Sequence, residues 1–143
     1  MNNTFLLLAS CLAMVLLTFA VGARLLFVRT NEMREKRVHP QSASTSLQMA
    51  SRLQNVQAAD NFKNLFEVPV LFYALVAVAL AVSYTPGWLI AGAWLFVALR
   101  VAHSCIHCTY NKVMHRFPVF LLGFVVVVAL WVAFFFTLPK SAV

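Results

Sequence analysis

Asp60, Asn64 and Glu67 are spaced four and then three residues apart, and Arg100, His103 and His107 three and then four. On helices, at 100° per residue, each trio falls within about 60° of arc. Each is therefore a polar stripe, and each runs into apolar sequence. Glu67 sits beside Val68, Pro69, Val70 and Leu71, and Arg100 lies between Phe96-Val97-Ala98-Leu99 and Val101-Ala102. An ionised group in such surroundings is costly unless it is paired, so each marks a place where function or structure requires it. Glu67 and Arg100 are the natural partners. A buried Glu67–Arg100 pair that only locks two helices is one expectation, and a polar binding pocket is the other.

A second constellation is Cys105-Ile106-His107-Cys108, a CxxC with His103 and His107 at the i, i+4 spacing of a helical metal pair. Relative to His103, His107 lies at about 40°, but Cys108 at about 140° and Cys105 at about 200°. One helix cannot close a two-His, two-Cys site, and no metal site is expected. Dithiol chemistry of the CxxC kind usually rides on a βαβ unit, which is not expected here. Cys11, Cys105 and Cys108 are an odd set within apolar stretches and give no disulfide framework.

The elements that position these residues follow from composition. The 143 residues are 62% hydrophobic and 10% charged, against roughly 45–50% and about 25% for soluble domains. Apolar stretches run over about 5–28, 65–82, 88–106 and 117–138. Each approaches the roughly 20 residues that cross a bilayer as a helix, and none alternates as a strand would. The expected fold is all-α, a single four-helix transmembrane bundle in contact with the lipid bilayer. The first stretch contains a lipoprotein-like box, Leu8-Ala9-Ser10-Cys11, but no basic residue precedes it and the run continues past Gly22, so it is expected to stay as a helix. The Phe- and Val-rich run from Phe124 to Phe136 is expected to face lipid or core.

The net charge of +7 would suggest nucleic acid if the cations lined a groove with interleaved aromatics. They crowd the first and third connections instead, where positive charge reports membrane orientation. Connections one and three are then cytoplasmic and both termini external. The centre of the first connection, His39 to Ser46, reads as a polar loop with Ser46 as an N-cap. From Leu47 no breaker occurs before Pro69, so the second helix is expected to begin in the cytoplasm as a polar extension. Pro118 is placed in the first turn of the last helix. On this layout Asn64, Glu67, His103, His107 and Arg116 converge near the cytoplasmic leaflet. Such a pocket offers cations for carboxylates, Asn and Glu for amide and ammonium groups, and a positive charge beside sulfur that raises the thiolate fraction. The inventory suits a small, multiply charged peptide.

At these residues the chain resembles the MAPEG family, the membrane-associated proteins in eicosanoid and glutathione metabolism. Asn64-Leu65-Phe66-Glu67, followed by Pro69, is similar to the family's Asn-x-x-Glu motif. Arg100-Val101-Ala102-His103 is similar to the Arg-Val-Ala-His run of its prostaglandin E synthase branch, and Arg116 falls where that branch has its thiolate-stabilising arginine. The resemblance implies a homotrimer holding glutathione as co-substrate between subunits and acting on a lipophilic small molecule. Asn64, Glu67, Arg100 and His103 would contact glutathione, with Lys63 and His107 at neighbouring positions of the same site. Arg116 would stabilise its thiolate, and Arg29 would match a further glutathione-contacting arginine. Asp60 and Lys63 stand where the synthase branch has arginines, and His107 and Phe120 where it has tyrosines. The resemblance thus implies a divergent member of a bacterial type, in that case in the cell inner membrane. Its activity would be a glutathione-dependent transferase or peroxidase on lipophilic electrophiles. The alternative is a non-catalytic trimer that binds a small ligand or is purely structural.

Overall fold

A computed structural model describes residues 2–43 and 45–139. Ser44 of the expected polar loop and the chain from residue 140 onward lie outside the described residues. The helices are α1 (Asn3–Glu35), α2 (Ser46–Arg52), α3 (Gln57–Asn64), α4 (Val68–Ala81), α5 (Gly87–Cys108) and α6 (Val113–Thr137), with a 3-10 turn at Pro40–Ala43. Among the described residues four units are long and apolar enough to cross a membrane: α1, Gln57–Ala81, α5 and α6. Among the described residues there is no strand, and the all-α four-helix bundle stands.

The bundle is built round α5, whose most extensive contacts are with α1 and α6. Its inward residues, Leu89, Ala93, Phe96, Arg100, His103 and His107, step by four and three. On α1, Leu7, Ser10, Met14, Val21, Leu25 and Glu32 lie on the same kind of seam. That spacing keeps one stripe of a helix against its neighbour, as in coiled coils. Phe72 of α4 stacks on Phe96 of α5 with ring centroids 4.9 Å apart. On α6, Gly123, Val127, Leu130 and Phe134 face inward while Phe124, Val125, Val128, Val132, Phe135 and Phe136 are exposed. In a bilayer such apolar exposure is solvated by lipid. At one end of the bundle the Asn3 side chain donates to the Thr85 carbonyl at 3.0 Å, tying the start of α1 to the connection before α5.

Several boundaries differ from expectation. The N-cap of α2 is Thr45, not Ser46: its hydroxyl accepts from the Gln48 backbone N–H, and the Gln48 side chain returns to the Thr45 N–H. The polar extension of the second span is not one helix, because it breaks between Arg52 and Gln57 and again before Val68. The first break has a tertiary cause. The Glu32 carboxylate, buried at the end of α1, accepts the backbone N–H groups of Gln54 at 2.6 Å and Asn55 at 3.1 Å, donors that a continuous helix would direct to carbonyls four residues back. Lys36 completes the latch with an ion pair at 2.7 Å. Helix α6 starts at Val113 rather than near 117, so Pro118 lies beyond the first turn.

Helix α1 ends in a Schellman motif: Val38 N–H bonds the Met33 carbonyl and Arg37 N–H the Arg34 carbonyl, with Arg37 in the left-handed region at φ 51°. The turn folds Val38 and His39 back towards the helix end.

The latch predicts a pH dependence. Burial pushes the Glu32 carboxyl up, but the Gln54 N–H, the Lys36 ammonium and the Asn55 N–H together outweigh it and bring it down to about 2. Its contribution is therefore complete above the ordinary carboxyl range and is lost as pH falls from there towards 2. Amide exchange at Gln54 and Asn55 should accelerate about tenfold in Glu32→Gln at neutral pH, since charge-assisted hydrogen bonds are replaced by neutral ones. The difference from wild type should shrink as the pH approaches 2. Equal exchange in the two proteins at neutral pH would refute the latch.

Candidate functional site

The seam of α5 turns from apolar to polar at Arg100, whose side chain is only 1% exposed. Phe96 lies one turn before it, with the guanidinium carbon 5.2 Å from the ring centroid, and Phe120 of α6 lies 4.9 Å away. Nη2 donates to the Phe120 carbonyl at 3.1 Å. Nε and Nη1 have no partner among the described residues. The space is made by Gly123: a Cβ there would stand 2.7 Å from Nη2 and 3.2 Å from Nε. The buried arginine is thus held by two aromatic faces and one carbonyl, and no carboxylate of the described residues pairs with it.

The expected Glu67–Arg100 pair is not formed within the chain. Glu67 is exposed at the N-cap of α4, and the single ion pair among the described residues is Glu32–Lys36. The reason is the register of α3. Ala58, Asn61, Leu65 and Val68 are the buried positions, spaced three, four and three, whereas Asp60 and Glu67 are exposed and Asn64 half-buried. The polar stripe turns outward, about 100° from the face that meets α1 and α5.

The residue that does point inward is Asn61, fully buried. It donates from Nδ2 to Cys108 Sγ at 3.3 Å and accepts from the Ser104 hydroxyl at 3.4 Å. Arg24 of α1 donates to the Cys108 carbonyl, satisfying a backbone acceptor at the end of α5 that its own helix leaves open. Asn61, Ser104 and Arg24 thus pin α1, α3 and α5 together at this end, and the sequence reading missed all three. The small-and-apolar repeat Ala58, Leu65, Val68 carried the signal for Asn61.

His103 and His107 are buried and stack with ring centroids 5.5 Å apart. His103 Nδ1 lies 3.2 Å from the Arg116 carbonyl. A carbonyl only accepts, so Nδ1 carries the proton and a neutral His103 presents a lone pair at Nε2. That nitrogen and His107 Nδ1 have no partner among the described residues. Arg116, half-buried in the first turn of α6, donates from Nη1 to Asn111 Oδ1 at 2.7 Å. Asn111 adopts the left-handed φ of 50° that asparagine tolerates better than most residues.

The candidate residues therefore fall into two sets. Arg100, His103, His107 and the Arg116 backbone form one cluster between α5 and α6. Asn64 and Glu67, with exposed Lys63 and half-buried Arg29, lie outside it, and no hydrogen bond or ion pair among the described residues joins the two sets. Cys105 is exposed and Cys108 half-buried. Among the described residues no three His, Cys, Asp or Glu side chains form a metal-holding group.

The arrangement of four spans, with a polar turn of α5 covered by the start of α6, can be set beside known proteins. The model of the MAPEG family matches residues 7–136. The chain belongs to the MAPEG family. Comparison with curated proteins gives no match, and comparison with solved structures gives none either. Membership in MAPEG accounts for the reach of the match, which starts at the first buried leucine of α1 and ends within the last turn of α6.

Proposed function

We propose that this MAPEG protein is a glutathione-dependent transferase or peroxidase that acts on lipophilic electrophiles drawn from the bilayer, and that it works as a homotrimer. The observation that carries the reading is the division of the polar residues. Asn64, Glu67 and Lys63 face out of the fold while Arg116 and His103 sit on α5 and α6, so a second copy is needed to bring the two sets to one ligand.

The residues present fit glutathione. Its two carboxylates call for cations, which Lys63, Arg29 and Arg116 supply. Its ammonium and amides call for Glu67 and Asn64. Arg100 and His107 are buried and shape the floor beneath His103. When bound, glutathione supplies the thiol nucleophile. Arg116 holds a positive charge where a thiolate would form, lowering the cost of its deprotonation. Its guanidinium is kept in place by Asn111, and its carbonyl fixes the tautomer of His103. Exposed apolar faces of the spans give a membrane-dissolved electrophile access, and proximity supplies much of the remaining acceleration. The crowding of basic residues in the first and third connections supports a cytoplasmic position for this end of the bundle, where glutathione is present.

A non-catalytic reading is favoured by one observation: Arg100 and His107 are sealed from the surface and serve packing in a single copy. Calorimetry on the detergent-purified protein separates the two. Binding of glutathione at millimolar concentration or tighter, strengthening as pH rises through seven, supports the enzyme. No heat at millimolar glutathione on either side of pH seven would replace it with the scaffold.

A further inference from the structure

The two cysteines that end α5 take no part in the glutathione reading. Cys105 is exposed and Cys108 half-buried against the core, both in the last turn of the helix. Cys105 lies about 200° round the helix from His103, on the face turned away from the Arg100 cluster. Residues three apart on a helix have Cα atoms about 5 Å apart, inside the roughly 4.4–6.8 Å that a disulfide bridges. Their Cβ atoms, at about 5–6 Å, are still beyond the roughly 3.5–4.5 Å of a disulfide. The pair therefore closes only if one of the two leaves helical geometry.

Which one moves is set by the end of the helix. Cys108 is the last residue of α5, and the backbone turns away at Thr109, with φ −111° and ψ −97°. Thr109 N–H reaches the Ile106 carbonyl at 3.4 Å. The Cys105 carbonyl, which that N–H would meet in a continuing helix, accepts the Thr109 hydroxyl at 2.6 Å instead. The turn is held at Cys105 and already open beyond Cys108, so Cys108 is the residue that gives way.

Cys108 is also where α1 and α3 attach. Asn61 Nδ2 donates to its Sγ at 3.3 Å, and Arg24 donates to its carbonyl. Asn61 is fully buried, and its other side-chain partner among the described residues is the Ser104 hydroxyl. Drawing Sγ towards Cys105 leaves the Asn61 N–H without an acceptor in the interior, a destabilising state, and shifts the carbonyl that Arg24 holds. Closing the pair and keeping the clasp exclude one another.

We propose that Cys105 and Cys108 form a thiol switch, oxidised by an organic hydroperoxide dissolved in the bilayer, whose disulfide form releases α1 and α3 from the end of α5. The exposed Cys105 sulfur attacks the terminal peroxide oxygen. The S–O bond forms, the O–O bond breaks, and the alkoxide leaves as the alcohol with the thiol proton. The Cys108 sulfur then attacks Cys105: the S–S bond forms, the S–O bond breaks, and hydroxide leaves as water with the Cys108 proton. A thiol such as glutathione reverses the step by exchange, so at the proposed cytoplasmic end the disulfide is transient, the regime of redox sensors. Neither cysteine is among the residues proposed to hold glutathione, so the two readings are tested apart.

The test uses the full-length protein in dioleoylphosphatidylcholine bilayers, treated with cumene hydroperoxide. Alkylation after denaturation should show two of the three thiols lost and Cys11 retained, with no covalent dimer. Backbone amide exchange in α3, Gln57–Asn64, should rise about tenfold on oxidation, as the Asn61 bond is lost, and return with dithiothreitol. Cys108→Ser keeps an acceptor for Asn61. In that variant the reaction should stop at a Cys105 sulfenic acid, captured by dimedone, with exchange in α3 unchanged. Cys105→Ser, an exposed substitution, should keep its Cys108 thiol and its slow exchange under the same treatment. Three results would overturn the switch. They are a disulfide between two chains, a sulfenic acid that persists on Cys105 of the wild type, and an intrachain disulfide that leaves exchange in α3 unchanged.

Discussion

Gly123→Val should lower the unfolding free energy by about 3 kcal/mol, the upper part of the range for overpacking a filled interior. The added Cβ would meet Arg100 Nη2 at 2.7 Å, and the guanidinium has nowhere to retreat. Phe96 and Phe120 flank it, and moving it breaks the bond to the Phe120 carbonyl. Thermal or denaturant unfolding in detergent measures the effect. The double variant Gly123→Val/Arg100→Met should recover most of the loss, because the two residues are in contact and their effects are not additive. Arg100→Met alone should leave stability unchanged or raise it. A buried cation with two unpartnered N–H positions and no carboxylate costs more than an apolar side chain of similar length. A Gly123→Val protein as stable as wild type would show that Arg100 is not confined as described. A strongly destabilised Arg100→Met would show that the guanidinium has a counter-charge after all, for which Glu67 of a neighbouring copy is the candidate.

Arg116→Ala is expected to have the largest effect on chemistry and almost none on the fold. The ultraviolet absorbance of bound glutathione thiolate should disappear, and turnover of an electrophile such as a chlorinated nitrobenzene should fall by about 10²–10³-fold, the usual cost of removing one group that stabilises a developing anion. Stability should change by less than about 1 kcal/mol. Arg116 is half-buried, its side chain has one hydrogen bond among the described residues, to Asn111, and its own tie to α5 runs through its backbone carbonyl to His103. That carbonyl survives the substitution. An unchanged thiolate signal, or a stability loss matching that of Gly123→Val, would remove Arg116 from the catalytic role.

The two expectations place the arginines in opposite roles, and they show what the sequence could carry. The four spans are legible because apolar length is a one-dimensional property. The inward face of α5 is legible for a similar reason: Arg100, His103 and His107 lie on one uninterrupted helix, where spacing converts directly into angle. The second span defeats the same argument. There the polar residues Asp60, Asn64 and Glu67 suggest one register, because polar groups in a membrane tend to turn inward. The apolar positions Ala58, Leu65 and Val68 were the better guide, and they turn Asn61 inward instead. The break at 53–56 contains no proline or glycine and could not be read locally. It is set by Glu32, more than twenty residues away, which captures two backbone N–H groups. The missing Glu67–Arg100 pair has a different origin. Spacing along one chain suggests the pair, whereas the fold leaves Glu67 on the surface.

The central position of α5 also has a consequence for how the chain is made. Helix α1 meets the second span, α3 and α4 together, at least as extensively as it meets α5, while its Arg24 donates to the Cys108 carbonyl at the far end of α5. During synthesis the first two spans can therefore pair as soon as both are in the bilayer, and the Arg24 contact is completed only once the whole of α5 has emerged. The α5–α6 hairpin, joined by the short connection 109–112, has mainly local contacts and should close quickly once both helices are inserted. Assembly is then expected to join two pairs made in the order of translation, α1 with α3 and α4 first and the α5–α6 hairpin docking on them, with Arg24 as the clasp between the two.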